Sequence, residues 1–165
     1  LLQHELFLQL DHFNDYVEQV LEQLQKHQLV EVEGQYLQAA PVQQAGHFML
    51  ELLAFNAQDV LQRYAVVLNL LQLHSPLTRA DLEQQSHELA QRLLSLHGIT
   101  APEYYDKQLF ATLVNALKDS GYTQTDEQSR VSATPRLAQL NDTIAGLLRS
   151  EVLQSIHSIV PAGGD

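Results

Sequence analysis

Cysteine is absent from this chain. That absence removes disulfide bridges, thiolate metal sites and a cysteine nucleophile together, and it agrees with a reducing compartment. Glycine and proline are scarce, at 7 and 5 of 165 residues, so extended disorder is not expected. Positive charge is scarce as well. Nine Lys and Arg stand against twenty Asp and Glu, a formal charge of −11, and within residues 1–56 Lys26 alone faces eight acidic residues. Such a surface repels phosphate backbones and anionic lipid heads, and no basic stripe is present, so no nucleic-acid partner is expected. No basic-then-apolar leader opens the chain, and its first residue is Leu, so it reads as a piece cut from a longer protein.

The organising stretch is Val60-Leu-Gln-Arg-Tyr-Ala-Val-Val-Leu-Asn-Leu-Leu-Gln-Leu73, where Asn69 is the only polar residue from Tyr64 to Leu71. A helix apolar on nearly every side sits in the middle of a fold. The run falls short of the roughly 20 residues a bilayer requires, so it is predicted to be a buried core helix. The fold class is therefore mainly α, a helical domain around that central helix. A chain of this length can bury roughly 70% of its unfolded surface.

Before the central helix, Phe13, Tyr16, Val17, Val20, Leu21 and Leu24 recur at helical spacing, which predicts an amphipathic helix. Val30 and Val32 then alternate with Glu31 and Glu33, Gly34 marks a turn, and Gln35-Tyr36-Leu37 returns. This is a β-hairpin over about 29–38. A helix followed by a tight hairpin ends a winged-helix unit, so a DNA reader has to be weighed; Glu31 and Glu33 stand where phosphate contacts need Lys or Arg. Pro41 and the Gln-rich stretch to Gly46 form a connector. The expected division is an N-terminal helix plus hairpin over 1–45, a helical core over 46–160 and a loose tail over 161–165.

Helix signal resumes at Phe48, Leu50, Leu52, Leu53 and Phe55, with Asn56 or Asp59 as a cap for the central helix. Thr78-Arg-Ala-Asp81 is a capping-box variant. It opens a helix striped by Leu82, Leu89, Ala90, Leu93 and Leu94 up to Leu96. Gly98 suits the left-handed position after that helix, with His97 against its negative end. Pro102 and Asp106 are start signals for a further helix through Lys107, Phe110, Leu113, Val114 and Leu117, ending at Gly121. Tyr122–Thr125 suits a short strand, 126–134 reads as a mobile polar loop, and Thr134-Pro135 opens one final helix to Ile159.

Eight histidines raise a metal hypothesis, but no two stand at i, i+4 and His87-Glu88 lacks the second His of a zinc-protease helix. Scattered surface or capping histidines are the simpler account. No phosphate loop, Gly-x-Ser-x-Gly elbow or acidic calcium loop is present, and neither metal nor cofactor is expected. Tyr104 and Tyr105 can line a pocket with His97, although such aromatics more often plug the corner between two helices.

Two stretches carry a resemblance: Leu61-Gln-Arg-Tyr-Ala-Val-Val-Leu-Asn-Leu-Leu71, and Leu89 through His97-Gly-Ile-Thr-Ala-Pro-Glu-Tyr-Tyr-Asp-Lys107. They closely resemble the C-terminal region of the large bacterial membrane-associated glycerol-3-phosphate acyltransferases. The opening Leu1-Leu-Gln-His-Glu-Leu-Phe7 is similar to the stretch after that family's catalytic domain. The likeness departs at 124–134 and at the very end. It implies a parent enzyme that moves an acyl chain from acyl-carrier protein or acyl-CoA to the first hydroxyl of glycerol 3-phosphate. It implies the cytoplasmic face of the bacterial inner membrane, touched through the parent protein, with the catalytic domain of the same chain and a second copy in a homodimer as partners. His97, Gly98, Pro102, Tyr104, Tyr105, Asp106 and Lys107 become a structural signature. The family's catalytic mark is a His followed five positions later by Asp. Five positions after the histidines here stand Gln9, Val17, Val32, Leu52, Arg79, Arg92, Pro102 and Ala162. No catalytic residue carries over, and the expected role is a non-catalytic domain supporting the catalytic one. The alternative of another class is a free-standing winged-helix or adaptor module.

Overall fold

A computed structural model describes residues 10–97 and 106–160. The chain forms two compact units, Leu1–Gln58 and Asp59–Asp165. The expected boundary is at 45/46. The difference arises because Ala45–His74 is one 30-residue helix, whose first turns belong to the first unit.

In the first unit, helix α1 (Leu10–Lys26) carries the expected apolar stripe. Its end is a Schellman turn: Leu29 N–H donates to Leu24 O at 2.9 Å and Gln28 N–H to Gln25 O at 2.9 Å. Gln28 takes the left-handed position at φ 59°, where glycine is usual. Strands β1 (Val30–Glu33) and β2 (Tyr36–Ala39) then pair antiparallel, Val30 opposite Ala39 and Glu33 opposite Tyr36. Gly34 turns the hairpin at φ 64°. Ala40 N–H closes the ladder on Leu29 O at 3.0 Å.

Helix α2 (Ala45–His74) begins after a turn in which Gln44 N–H reaches Pro41 O at 2.8 Å. His47 donates from Nδ1 to Ala40 O at 2.7 Å, tying the helix start to the hairpin end. Neither Asn56 nor Asp59 starts a new helix. Asn56 instead donates its side-chain amide to Leu52 O at 3.1 Å, one turn back in the same helix. Nothing between Phe48 and Leu73 removes a backbone donor, so the ladder runs through.

In the second unit the predicted core helix is confirmed, since every residue from Gln62 to Leu71 is buried. Asn69 stays within hydrogen-bond reach inside that core, donating to Ala65 O at 2.8 Å. After α2 come β3 (Leu77–Thr78), α3 (Arg79–His97), α4 (Lys107–Asp119), β4 (Thr123–Thr125), β5 (Arg130–Ala133), α5 (Pro135–Leu147) and α6 (Ser150–Ile159). The capping box at α3 forms as expected: Asp81 N–H donates to Thr78 Oγ1 at 3.1 Å, and the Thr78 hydroxyl donates to the Asp81 carboxylate at 2.7 Å. Leu82, Leu89, Ala90, Leu93 and Leu94 are buried, whereas Leu96 is exposed. Gly121 at φ 73° ends α4 in a second Schellman turn, with Tyr122 N–H on Leu117 O at 2.8 Å.

The stretch 126–134, expected to be loose, is a hairpin arm. Asp126 Oδ1 accepts from Gln128 N–H at 2.9 Å and from Arg130 N–H at 2.8 Å. Its Oδ2 accepts from Arg130 Nε at 2.8 Å. The backbone bond from Arg130, with its guanidinium, holds the Asp126 carboxyl below its ordinary value of 3.8. Strand β5 lies between β3 and β4, antiparallel to both, with Val131 buried. The order helix, strand, helix, helix, strand, strand, with the first strand paired to the last, is winged-helix connectivity. The expected hairpin at 29–38 exists, but this connectivity belongs to the second unit.

The final helix divides in two. Leu148 and Arg149 are extended between α5 and α6, and Leu148 is buried while Leu147 is exposed. Thr134 precedes α5 as expected, yet its hydroxyl donates to Gly121 O at 3.0 Å and Tyr122 O at 3.1 Å instead of capping the helix. Asn69 also reaches Asn141 Oδ1 of α5 at 3.4 Å, and Asn141 donates to Gln72 Oε1 at 2.7 Å.

Candidate functional site

The predicted signature is only partly placed. Gly98, Pro102, Tyr104 and Tyr105 lie outside the described residues. His97 is the last residue of α3. Asp106 caps α4, accepting from Gln108 N–H at 2.8 Å, because its short carboxylate reaches a donor the first helical turn leaves free. Lys107 is the first residue of α4 and is exposed. Among the described residues of the signature, Asp106 serves as a helix cap and Lys107 as a helix start.

Among the described residues no three His, Asp or Glu side chains gather into a metal site, and no helix is long and apolar enough to cross a membrane. Ionisable groups are mostly on the surface. Arg79 pairs with Glu83 at 2.7 Å and donates to Asn115 Oδ1 at 2.9 Å, and Arg136 stacks over the Tyr122 ring, 5.0 Å from its centre.

The first unit holds a groove of about 710 Å³. Tyr16, Val20 and Leu24 line it from α1, one turn apart, so that they share a face. Gly46, Met49 and Leu53 line it from α2, and Leu29 closes one end. Gly46 is essential to this geometry. A Cβ there would overlap the Gln28 carbonyl oxygen and lie 2.8 Å from its carbonyl carbon. Polar lining comes from Gln19, Gln23, Glu22 and His27. No pair among these is placed as nucleophile and base. The groove can bind by shape and apolar contact, and it offers no chemistry. Periodicity marked this face of α1 in the sequence, but not that it is left half open.

The family model described as "Glycerol-3-phosphate acyltransferase C-terminal region" matches residues 1–126. The chain belongs to this family. Three similar relatives are the glycerol-3-phosphate acyltransferases of Shewanella loihica, Shewanella denitrificans and Shewanella woodyi, each 41% identical over 162 residues. The match takes in 98% of this chain and 19% of each relative, so the chain spans about a fifth of their length. No solved structure matches it. Within this acyltransferase C-terminal region the match runs through α1, the hairpin, α2, α3 and α4 and reaches the end of β4. The described fold therefore covers most of what the family shares, and the groove lies wholly inside it.

Proposed function

We propose that this chain is the non-catalytic C-terminal region of a glycerol-3-phosphate 1-O-acyltransferase. The parent enzyme would acylate sn-glycerol 3-phosphate from acyl-carrier protein or acyl-CoA, the first step of phospholipid synthesis, at the cytoplasmic face of the bacterial inner membrane. The observation that carries this reading is the C-terminal-region match over residues 1–126. The region's role would be to support the catalytic domain of the same polypeptide or its dimer partner.

Acyl transfer requires a base for the attacking hydroxyl's proton. A His followed five positions on by Asp is the family's mark for that base, and no histidine in the chain has one. Purified chain is expected to transfer no acyl group to glycerol 3-phosphate above a heat-treated control, measured with radiolabelled substrate. Activity well above that control would place a catalytic centre here and overturn the reading.

Winged-helix connectivity in the second unit favours a second reading, a free-standing interaction module. As a duplex reader it is poorly equipped. The turn between β4 and β5 exposes Asp126 and Glu127, and α4 sets Asp119 beside Lys118. With a net charge of −11, binding to duplex DNA should be no better than that of a generic acidic protein. Submicromolar, salt-sensitive binding in a gel-shift titration would reverse the order of the two readings.

A further inference from the structure

The described residues of the first unit form almost no core of their own. Among them only Leu29 and Ala40 are buried apolar side chains. Of fifteen large apolar side chains exposed among the described residues, twelve belong to this unit. They are not scattered. Val20 on α1 and Met49 and Leu53 on α2 bound the groove, each between about a third and a half exposed, while Phe48, Leu52 and Phe55 form a ridge on the adjoining face of α2. Phe48 is 70% exposed. A contiguous apolar surface of this kind, rimmed by polar residues, marks a surface that is covered by something else.

We propose that this α1–α2 face is the seat of an apolar surface from the rest of the acyltransferase polypeptide, the part that lies N-terminal to this region in its relatives. The assignment rests on the reading of the chain as the C-terminal region of a longer enzyme. Three observations select that occupant. About four-fifths of each relative lies outside the matched stretch, so a large polypeptide surface is present in the same molecule at high effective concentration. The rim is acidic: Glu22 lines the groove, and against the eight Asp and Glu of residues 1–56 Lys26 is the only Lys or Arg. An anionic membrane is repelled by that rim. A second copy would bring an identical acidic rim against it, and like charges across an interface oppose pairing. The groove also has the form that receives a helix: Tyr16, Val20 and Leu24 on one wall and Met49 and Leu53 on the other are spaced one turn apart. This is the helix-in-groove mode of recognition.

The chain has no cysteine, so an introduced thiol reports on one position. Met49→Cys places it on the face; Gln124→Cys, on exposed β4 in the second unit, is the control. Maleimide labelling of each position is followed by peptide mass spectrometry, in the 165-residue chain and in the full-length acyltransferase. At Met49→Cys the rate should fall at least tenfold in the full-length enzyme, and at Gln124→Cys it should not change. Equal rates at Met49→Cys in the two proteins would overturn the proposal. So would protection in the chain alone that rises with its concentration, the sign of a second copy. Protection of the chain alone by phosphatidylglycerol vesicles would assign the face to lipid and overturn it as well. A further variant, Leu53→Asp, should leave the melting temperature of the chain alone nearly unchanged and restore labelling at Met49→Cys in the full-length enzyme. Acyl transfer by the full-length enzyme is measured on the same preparations. Its absence refutes the family-based reading, whatever the labelling shows.

Discussion

Phe110→Ala is expected to destabilise the second unit by about 3–5 kcal/mol, the range for truncating a large buried aromatic side chain. Phe110 is fully buried on the inward face of α4, together with Leu113 and Leu117. Removing its ring withdraws apolar area from the core and leaves a cavity that the surrounding leucines fill only partly. Urea denaturation followed by circular dichroism measures the effect: the midpoint should fall with an unchanged slope. Phe110→Leu should recover most of the loss, because it restores most of the volume. A midpoint shift worth less than about 1 kcal/mol would show that α4 is not packed as described.

Gly46→Ala sets two principles against each other. Helix propensity alone favours alanine by about 1 kcal/mol. The Cβ, however, would collide with the Gln28 carbonyl and come within 3.4 Å of Leu29 Cα. Both are backbone atoms held in the turn that ends α1, so neither can rotate away. The collision should win, with a net loss of about 1–3 kcal/mol, the scale for overpacking. Hydrogen exchange locates the damage: amides of the hairpin and of the first turns of α2 should lose protection, while those of α3 and α4 keep theirs. Increased stability in Gly46→Ala would mean that the approach of α2 to the α1 turn is looser than the structure shows.

What the sequence made legible was local. The stripe of α1, the hairpin around Gly34, the all-round apolar run within 62–71, the Thr78–Asp81 box and the Asp106 cap each follow from residues within a few positions of one another. The readings that changed depended on choices a local signal does not make. Asn56 can cap a helix or bond back within one, and it bonds back to Leu52. Residues 126–134 are polar, yet Asp126 gathers the amides of Gln128 and Arg130 into a turn, and β5 becomes the middle strand through pairing with distant β3. The break at Leu148 buries one leucine and exposes its neighbour, a tertiary choice with no proline to announce it. The groove was half legible: spacing shows which face of α1 is apolar, but only the packed chain shows that no described residue of the first unit fills it.

The amides of Asn69 and Asn141 bear on how α5 finds its place. A leucine-rich face attracts a helix without fixing its position along the axis, since sliding by one turn, about 5.4 Å, brings another apolar side chain into a similar place. On α5 such a slide would set Leu137 or Ala145 where Asn141 meets Asn69. Asn69, only 6% exposed, would keep its bond to Ala65 and lose the cross-helix one, and Gln72 would lose its donor. The lost cross-helix hydrogen bond is worth on the order of 0.5–1.5 kcal/mol, enough to disfavour a slipped arrangement. The pair acts as a detent: hydrophobic burial draws the helix in, and two asparagines decide the notch in which it stops.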